Sequence, residues 1–177
     1  MKDSKVSIGL LNPKSPENVG SVMRAAGNYR VDRVLYTGKR YPRALMRNPD
    51  IPDMQRKVSQ NIPLYEVENI IDAAADLKIV CVEFAENAIP LPGYQHPLNA
   101  FYIFGPEDGS ISQKIINKAD AVVYIPTVGC MNLAATVNVV LYDRLMKSND
   151  DFDNDELIRS SRDINNRLKV KEPLINS

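Results

Sequence analysis

The sequence predicts an α/β fold of a single domain, in which helices cover both faces of a parallel sheet. Its 177 residues suit one domain. Short runs that are almost entirely apolar, such as residues 79–82 and 122–125, are typical of parallel strands buried on both faces. Between these runs, apolar residues recur at helical spacing. Strands that alternate with helices indicate a parallel sheet, because parallel neighbours need a crossover connection.

The beginning of the chain predicts a strand, a helix and a second strand. Residues 5–11 mix apolar and small residues, as in a strand, and a proline-rich turn follows them. Ser15 is suited to cap a helix over residues 16–29, since its hydroxyl is able to accept from a backbone N–H of the first turn. Pro16 suits the first position of the same helix. Residues 33–36 then indicate the second strand.

The rest of the chain predicts three more strands and three more helices. Residues 39–61 form a basic segment interrupted by prolines, which we expect to be functional or partly helical because of its length. The remaining strands are predicted at residues 78–84, 101–104 and 122–125. The remaining helices are predicted at residues 68–76, 112–118 and 131–147. We therefore expect one domain over residues 1–147 and a polar tail, compatible with a helix, over residues 148–177.

Composition argues against several classes of protein. No apolar run is long enough to span a membrane, and residues 1–5 do not begin a signal peptide, so we expect a cytoplasmic protein. Cys81 and Cys130 are the only cysteines and lie far apart, which argues against a disulfide framework or a zinc site. A catalytic triad would depend on His96, the only histidine. We expect no metal.

Charge is balanced overall but unevenly distributed. The net charge is zero, with 22 basic and 22 acidic residues, which is unusual for a nucleic-acid-binding protein because phosphate contacts need Lys and Arg. Residues 24–57, however, contain nine basic residues and three acidic ones. Acidic residues cluster instead at residues 150–156. The basic stretch either solvates a surface or contacts phosphates.

Three loops are candidates for the functional site, because ligands of parallel α/β folds bind beyond the carboxyl ends of the strands. The first loop places Asn18 in the first turn of a helix and Arg24 nearly two turns later. A helix start favours anions, and a guanidinium suits phosphate oxygens. Gly20, between them, allows another backbone to come close. The alternative for this loop is a capped helix with a surface arginine.

The other two loops follow later strands. Residues 104–110 include two glycines that permit a tight turn, and Glu107, which is able to accept hydrogen bonds. Residues 125–133 turn at Pro126 and lead to Asn132 at a helix start. An ordinary turn and an ordinary helix cap are the alternatives. Neither a phosphate-binding P-loop nor a dinucleotide-binding G-x-G-x-x-G sequence is present.

Together, in this order and spacing, the three loops resemble the motifs of the SpoU, or TrmH-like, branch of the SPOUT RNA methyltransferases. The resemblance covers residues 5–147. Its first motif is Asn18-x-Gly20-x-x-x-Arg24. The second motif is the sequence FGPEDG at residues 104–109, and the third runs from Ile125 through Met131-Asn132-Leu133 to residues 139–143. Cys130 departs from the pattern, which usually has serine there.

The resemblance implies a fold and a cofactor. It implies a deep trefoil knot near the C-terminus, a rare feature in proteins, and a homodimer with active sites at the interface. S-adenosylmethionine would lie bent in the knot, held mostly by backbone groups. These groups would come from Ile103, Phe104, Gly105, Ile125, Cys130, Met131, Asn132 and Leu133.

The resemblance also implies transfer of a methyl group to the 2′-hydroxyl of an RNA ribose. Arg24 would hold the adjacent phosphate and stabilise the developing alkoxide, since arginine does not readily deprotonate. Asn18 would orient Arg24 or the ribose, and Glu107 would bind near the hydroxyl or hold the other two residues. RNA phosphates would be contacted by Arg24, Lys39, Arg40, Arg43 and Arg47.

The RNA target is predicted to be tRNA, because the chain resembles the minimal tRNA enzymes. The first motif starts near Asn12, so we expect no N-terminal RNA-binding domain. One alternative is a ribosomal RNA methyltransferase. Others are a catalytically silent RNA-binding adaptor on this fold, which Cys130 would favour, an enzyme that methylates a base nitrogen, and an unrelated nucleotide-binding enzyme.

Overall fold

A seven-stranded, entirely parallel sheet forms the centre of the computed structural model, which describes residues 4–47, 61–148 and 155–170. The strands, in chain order, are β1 (Val6–Leu10), β2 (Arg33–Tyr36), β3 (Leu64–Glu66), β4 (Lys78–Val82), β5 (Ile89–Pro90), β6 (Ala100–Phe104) and β7 (Ala121–Tyr124). Their order across the sheet is β3-β2-β1-β6-β4-β7-β5. The predicted parallel sheet is therefore confirmed.

Five α-helices accompany the sheet within the described residues. They are α1 (Pro16–Asn28), α2 (Arg40–Arg47), α3 (Gln113–Ile116), α4 (Leu133–Met146) and α5 (Asp155–Ser161). Ser15 caps α1 as predicted: its hydroxyl accepts a hydrogen bond from the Asn18 backbone N–H at 3.1 Å. The helix α2 lies in the basic segment that was expected to be partly helical, and residues 48–60 of that segment lie outside the described residues.

Both faces of the sheet are covered, because the buried strands carry apolar side chains on both sides. In β6, Tyr102 contributes to the core cluster that α1 and α4 cover. Its neighbours Phe101 and Ile103 contribute to the cluster on the opposite face. That face is covered by α3 and by residues 67–77. This alternation explains why the central strands are nearly all apolar.

The predicted helix over residues 68–76 is wrong. Only a single 3₁₀ turn, Asp72–Ala74, forms there. Asn69 uses its side chain to accept from the Ile71 N–H at 3.0 Å, and Ala75 has a positive φ of 50°, which ends the turn. The edge strands β3 and β5 were not predicted, because three and two residues are too few to show a periodic pattern.

The order of the strands in the sheet departs from their order in the chain near β5. Strand β7 lies between β4 and β5, although residues 83–88 connect β4 directly to β5. Residues 91–98 then pass over the C-terminal end of α4, where Arg144 and Lys147 donate hydrogen bonds to their carbonyl groups. Such a crossing is what a C-terminal knot requires, and the knot itself stays an expectation from the resemblance. No helix in the described part of the chain is long and apolar enough to cross a membrane.

Candidate active site

The three motif loops meet at the carboxyl edge of the sheet. Glu107, in the loop after β6, lies at the meeting point. Its carboxylate accepts hydrogen bonds from the backbone N–H groups of Lys14 at 2.9 Å and Ser15 at 3.1 Å. It also accepts one from the Asn18 amide at 3.2 Å. The second motif therefore holds the first motif through one carboxylate.

These hydrogen bonds affect the pKa of Glu107. Partial burial by itself would raise the pKa of the carboxyl group, because it disfavours the charged form. The N–H groups of Ser15 and Lys14 and the Asn18 amide outweigh this effect and lower the pKa below its ordinary value. Glu107 is therefore an anion at neutral pH, and a weak base. Holding Asn18 fits this charge state better than taking up a proton.

Asn132 adds the third motif to the same cluster. Its side-chain NH₂ group donates to the Asn18 carbonyl oxygen at 2.9 Å. Its own carbonyl oxygen accepts from the N–H groups of Ala134 at 2.9 Å and Ala135 at 3.3 Å, so it caps α4 as well. Glu107, Asn18 and Asn132 form a continuous chain of hydrogen bonds. We call these three residues the amide cluster.

A cleft of about 150 Å³ opens beside the amide cluster, at the ends of β4, β6 and β7. Six of the eight residues expected to hold the cofactor line it: Phe104, Gly105, Ile125, Cys130, Met131 and Leu133. The other two lie elsewhere. Ile103 is fully buried in the cluster on the opposite face of the sheet, and Asn132 belongs to the amide cluster.

Gly105 lies close to its neighbours at the wall of this cleft. A Cβ atom at that position would lie 3.3 Å from Ile111 Cγ1, a tight contact, and 3.4 Å from Glu83 Oε2. A side chain at this position would therefore require Ile111 to shift by a few tenths of an ångström. This close approach leaves the backbone of Gly105 beside the cleft.

Sequence reasoning missed Glu83, a second carboxylate in this cleft. It follows β4 directly, and its oxygens accept from the N–H groups of Ile111 at 2.8 Å and Phe84 at 3.0 Å. The predicted strand over residues 78–84 included Glu83, so the only available signal was a carboxylate near the carboxyl end of that strand. The cleft thus combines two carboxylates with apolar walls from Val82, Phe104, Ile125 and Leu133. Such a lining suits a ligand that has both an apolar ring and positive charge.

Arg24 is not brought to the amide cluster or the cleft. It is exposed on α1, and the structure gives it no hydrogen bond or ion pair with any described residue. Asn18 and Arg24 are six positions apart, which places them on different sides of the helix. Within one copy of the chain, the three predicted catalytic residues therefore do not converge: Asn18 and Glu107 meet, and Arg24 stays apart.

The four remaining residues expected to bind RNA divide into two pairs. Lys39 forms an ion pair with Glu66, and Arg40 forms two hydrogen bonds with the Asp108 carboxylate, at 2.7 and 2.8 Å. Arg43 and Arg47 are exposed, and neither guanidinium has a hydrogen-bond or ion-pair partner among the described residues. The cations of the segment are thus partly neutralised.

The cysteines and the histidine do not suggest metal or nucleophile chemistry in the described residues. Both cysteines are free; Cys81 is buried and Cys130 is exposed. The described ranges contain no group of three or more His, Cys, Asp or Glu residues that would hold a metal ion. The His96 side chain is buried between Tyr102 and Asp143 and does not line the cleft.

Comparison with known proteins agrees with this arrangement. Residues 5–142 match the SpoU rRNA Methylase family. A Staphylococcus aureus protein assigned to the TrmH family of tRNA/rRNA methyltransferases is 23% identical over 163 residues, covering 85% of this chain and 64% of that protein. The tRNA (cytidine-2'-O-)-methyltransferase TrmJ of Methanocaldococcus jannaschii is 26% identical over 162 residues, covering 78% of this chain and 66% of that protein. The chain thus spans less than two-thirds of each of these relatives.

Solved structures share the fold at low sequence identity. A protein studied for the 2-OH methylation of C/U34 on tRNA has a TM-score of 0.67 at 17% identity, over 83% of this chain and 92% of that one. The SpoU methyltransferase AviRb from Streptomyces viridochromogenes, solved with AdoMet, has a TM-score of 0.64 at 17% identity, over 83% of this chain and 59% of that one. With the match over residues 5–142, this common fold shows that the chain belongs to the SpoU rRNA Methylase family.

Proposed function

We propose that this protein transfers a methyl group from S-adenosylmethionine to the 2′-hydroxyl of a ribose in tRNA, and that it works as a homodimer. The observation that carries the proposal is the amide cluster, which joins all three motif loops at the border of the cleft. Membership of the SpoU rRNA Methylase family supports RNA as the substrate.

The cleft fits the proposed cofactor. Its apolar side chains, such as Phe104 and Ile125, suit the adenine ring, and the carboxylates of Glu83 and Glu107 suit a cationic sulfonium and amino group. The close approach of Gly105 to the end of β4 leaves backbone groups available at the wall. Bound there, S-adenosylmethionine would supply an activated methyl group on a positively charged sulfur.

The protein's own contribution is to position the reacting groups. Methyl transfer would form a bond from the methyl carbon to the ribose oxygen as the carbon–sulfur bond breaks, and the hydroxyl proton would pass to water. Glu107 and Asn132 fix both ends of the Asn18 amide, so that Asn18 keeps the start of α1 beside the cleft. A permanently charged guanidinium at the oxygen would stabilise the charge that develops there.

Arg24 is the proposed source of that guanidinium, supplied by a second copy of the chain. It is exposed and without a partner among the described residues, and it does not line the cleft of its own copy. A homodimer with its active sites at the interface, as the family resemblance implies, brings the Arg24 of one copy towards the amide cluster of the other.

The tRNA target is supported by two similarities. The solved structure that this chain covers to 92% belongs to a protein studied for methylation of tRNA, and the relative from Methanocaldococcus jannaschii is named as a tRNA enzyme. Ribosomal RNA is the second candidate, because the family as a whole carries the name of an rRNA methylase.

Transfer of a labelled methyl group tests the proposal. Purified protein is incubated with methyl-labelled S-adenosylmethionine and with tRNA or ribosomal RNA from cells that lack the modification. We expect label in tRNA, recovered after digestion as a 2′-O-methylated nucleoside. Label in ribosomal RNA alone would reassign the target, and label on a base would reassign the reaction.

A catalytically silent adaptor is the second candidate function. Cys130 supports it: a thiol, which is a weak hydrogen-bond partner, lines the cleft where the family usually has a hydroxyl. The adaptor hypothesis predicts that the protein binds RNA but transfers no labelled methyl group to unmodified tRNA or to unmodified ribosomal RNA. Calorimetry with S-adenosylmethionine separates the two candidates further, because the adaptor needs no cofactor affinity.

A further inference from the structure

A second, strongly basic cleft lies next to the loop that carries Glu107, because Lys14 and Arg40, which line it, are bonded to Glu107 and Asp108. It has a volume of about 460 Å³ and is lined by Lys14, Arg40, Arg43, Ala44 and Arg47. Four of these five side chains are cationic. We call it the basic cleft. In a protein with no net charge, such a concentration of positive charge raises the local concentration of anions.

The spacing of the arginines on α2 builds one wall of this cleft. Arg40, Arg43 and Arg47 are three and four positions apart, so that they share one face of the helix. Lys14, from the loop between β1 and α1, faces them. The cleft therefore combines the first motif loop with the basic segment.

Arg40 plays a different part from the other three cations. Both of its terminal nitrogens bind the Asp108 carboxylate, at 2.7 and 2.8 Å, which is the bidentate geometry that makes such pairs specific. Because Asp108 directly follows Glu107, this pair fixes α2 against the loop that carries the amide cluster. Lys14 Nζ is 3.9 Å from Asp108, a weaker contact, and its side chain is 66% exposed.

Glu107 connects the basic cleft to the cleft of about 150 Å³ that is proposed to hold the cofactor, which we call the cofactor cleft. Glu107 lines the cofactor cleft, and its carboxylate accepts a hydrogen bond from the backbone N–H of Lys14, whose side chain lines the basic cleft. A ribose placed at the amide cluster would thus lie next to both clefts, with the cationic one beside its phosphate groups.

We propose that the basic cleft binds the RNA phosphates next to the methylated ribose. Lys14, Arg43 and Arg47 contact these phosphates, and Arg40 positions α2 through its ion pair with Asp108. This inference rests on the proposed function. It adds a phosphate-binding subsite that determines which ribose of the RNA lies at the amide cluster. Phosphate contacts of this kind position a nucleic acid without selecting its sequence.

Salt dependence of RNA binding tests the assignment. A fluorescent, unmodified tRNA transcript is titrated with protein in the absence of S-adenosylmethionine, at several concentrations of salt. Each cation that neutralises a phosphate contributes roughly 0.7–0.9 to the slope of log K against log salt concentration. The double variant Arg43→Gln with Arg47→Gln is therefore expected to lower that slope by about 1.4–1.8, and Lys14→Gln by about 0.7–0.9.

A matched control removes two cations elsewhere. Lys5 and Lys118 are exposed at the amino ends of β1 and β7, the opposite edge of the sheet, so Lys5→Gln with Lys118→Gln is expected to leave the slope unchanged. Equal slopes for the two double variants would overturn the assignment and leave the proposed function intact. Failure of the unaltered protein to bind the transcript at all would overturn both. Cofactor titration by calorimetry verifies that each variant keeps its cofactor cleft.

Discussion

Both ends of the Asn18 side-chain amide are hydrogen-bonded, which indicates the roles of Glu107 and Asn132. Its NH₂ group donates to Glu107, and its carbonyl oxygen accepts from Asn132. The Glu107 carboxylate already accepts three hydrogen bonds that lower its pKa, so it has little tendency to take a proton. The amide cluster is therefore a positioning device, and the charge that stabilises the transition state has to come from a cation.

Replacement of Arg24 by alanine tests whether Arg24 supplies that cation. Because the Arg24 side chain is exposed and its guanidinium has no hydrogen bond or ion pair with the described residues, Arg24→Ala is expected to leave the fold and cofactor affinity unchanged. Turnover is expected to fall by roughly 10²–10³-fold, the usual effect of removing one donor to a developing oxyanion. Initial rates at saturating RNA measure this. Turnover at the level of the unaltered protein would refute the role.

The two cysteines allow the cofactor cleft to be tested without RNA. Cys130 is exposed and lines the cleft, whereas burial raises the pKa of Cys81 to about 12, with a smaller effect from Glu83. A maleimide is therefore expected to label Cys130 and spare Cys81, because the thiolate is the reactive form. S-adenosylmethionine is expected to slow that labelling. Mass spectrometry of peptides reads out both sites, and labelling at the same rate with and without cofactor would contradict the placement of the cofactor.

At the scale of secondary-structure elements, α4 is held at both ends by side chains that also serve other parts of the molecule. Asn132 caps its start and belongs to the amide cluster. Near its end, Arg144 and Lys147 donate to carbonyl groups of residues 91–98. The helix α4 thus connects the candidate site to residues 91–98, which contact its C-terminal end.

A buried histidine completes the contact at the end of α4. His96 Nδ1 lies 2.6 Å from the Tyr102 hydroxyl, and Nε2 lies 2.8 Å from Asp143. The Tyr102 oxygen accepts from Arg144 at 3.1 Å, so its own proton is free to be donated to Nδ1. This assignment makes the imidazole neutral, with the Nε2 proton donated to Asp143. Burial lowers the pKa of His96 and outweighs the opposing effect of Asp143.

Acidification is therefore expected to weaken the fold through His96. Because its pKa is lower in the folded state, the unfolded chain takes up the proton first, and stability falls as the pH drops below about 6.5 towards the folded value. One proton gives a slope of at most about 1.4 kcal/mol per pH unit. Urea unfolding at pH values between about 7.5 and 5 measures it, in a range where no other histidine titrates.

The variant His96→Gln supplies the control for that experiment. It is expected to lower stability at pH 7.5 by roughly 1–3 kcal/mol, because the buried partners Tyr102 and Asp143 lose their hydrogen bonds. It is also expected to lose most of the pH dependence above pH 5. An identical pH dependence in the variant would show that other groups cause it.

At the scale of the whole molecule, one copy of the chain has an incomplete set of the expected catalytic groups. The amide cluster and the cofactor cleft lie together, but Arg24 is on a different side of α1. The proposed dimer, if closed by twofold symmetry, would resolve this, since each copy would both give an arginine and receive one. The proposal is motivated by the separation of Arg24 from the amide cluster within a single copy.

Mixing two inactive variants tests the shared site. Arg24→Ala keeps an intact amide cluster, and Glu107→Gln keeps an intact Arg24. After the two are unfolded together and refolded, about half of the dimers are hybrids, and one of the two sites in each hybrid has all its groups, so about a quarter of full activity is expected. If Arg24 acted within its own copy, the mixture would be no more active than the separate variants. Sedimentation velocity verifies the dimer.

Local pattern determined most of the elements and the family. Apolar runs placed β1, β2, β4, β6 and β7 to within a few residues, because burial on both faces leaves a signal in the strand itself. Ser15 and the proline after it placed the start of α1. The motif residues Asn18, Glu107 and Asn132 were identified for the same reason: each occupies a special position at the end of a strand or the start of a helix.

Only the tertiary structure decided how those residues are connected and which charges are free. Asn18 meets Glu107 and Asn132 across 89 and 114 positions of sequence, and no local periodicity encodes such a contact. The sequence grouped Lys39 and Arg40 with Arg43 and Arg47 as equal phosphate ligands, yet distant carboxylates neutralise the first two. Composition counts charges, whereas a cation's availability depends on the carboxylates that the fold places beside it. The sequence therefore identified the chemical groups, and the fold set their partners.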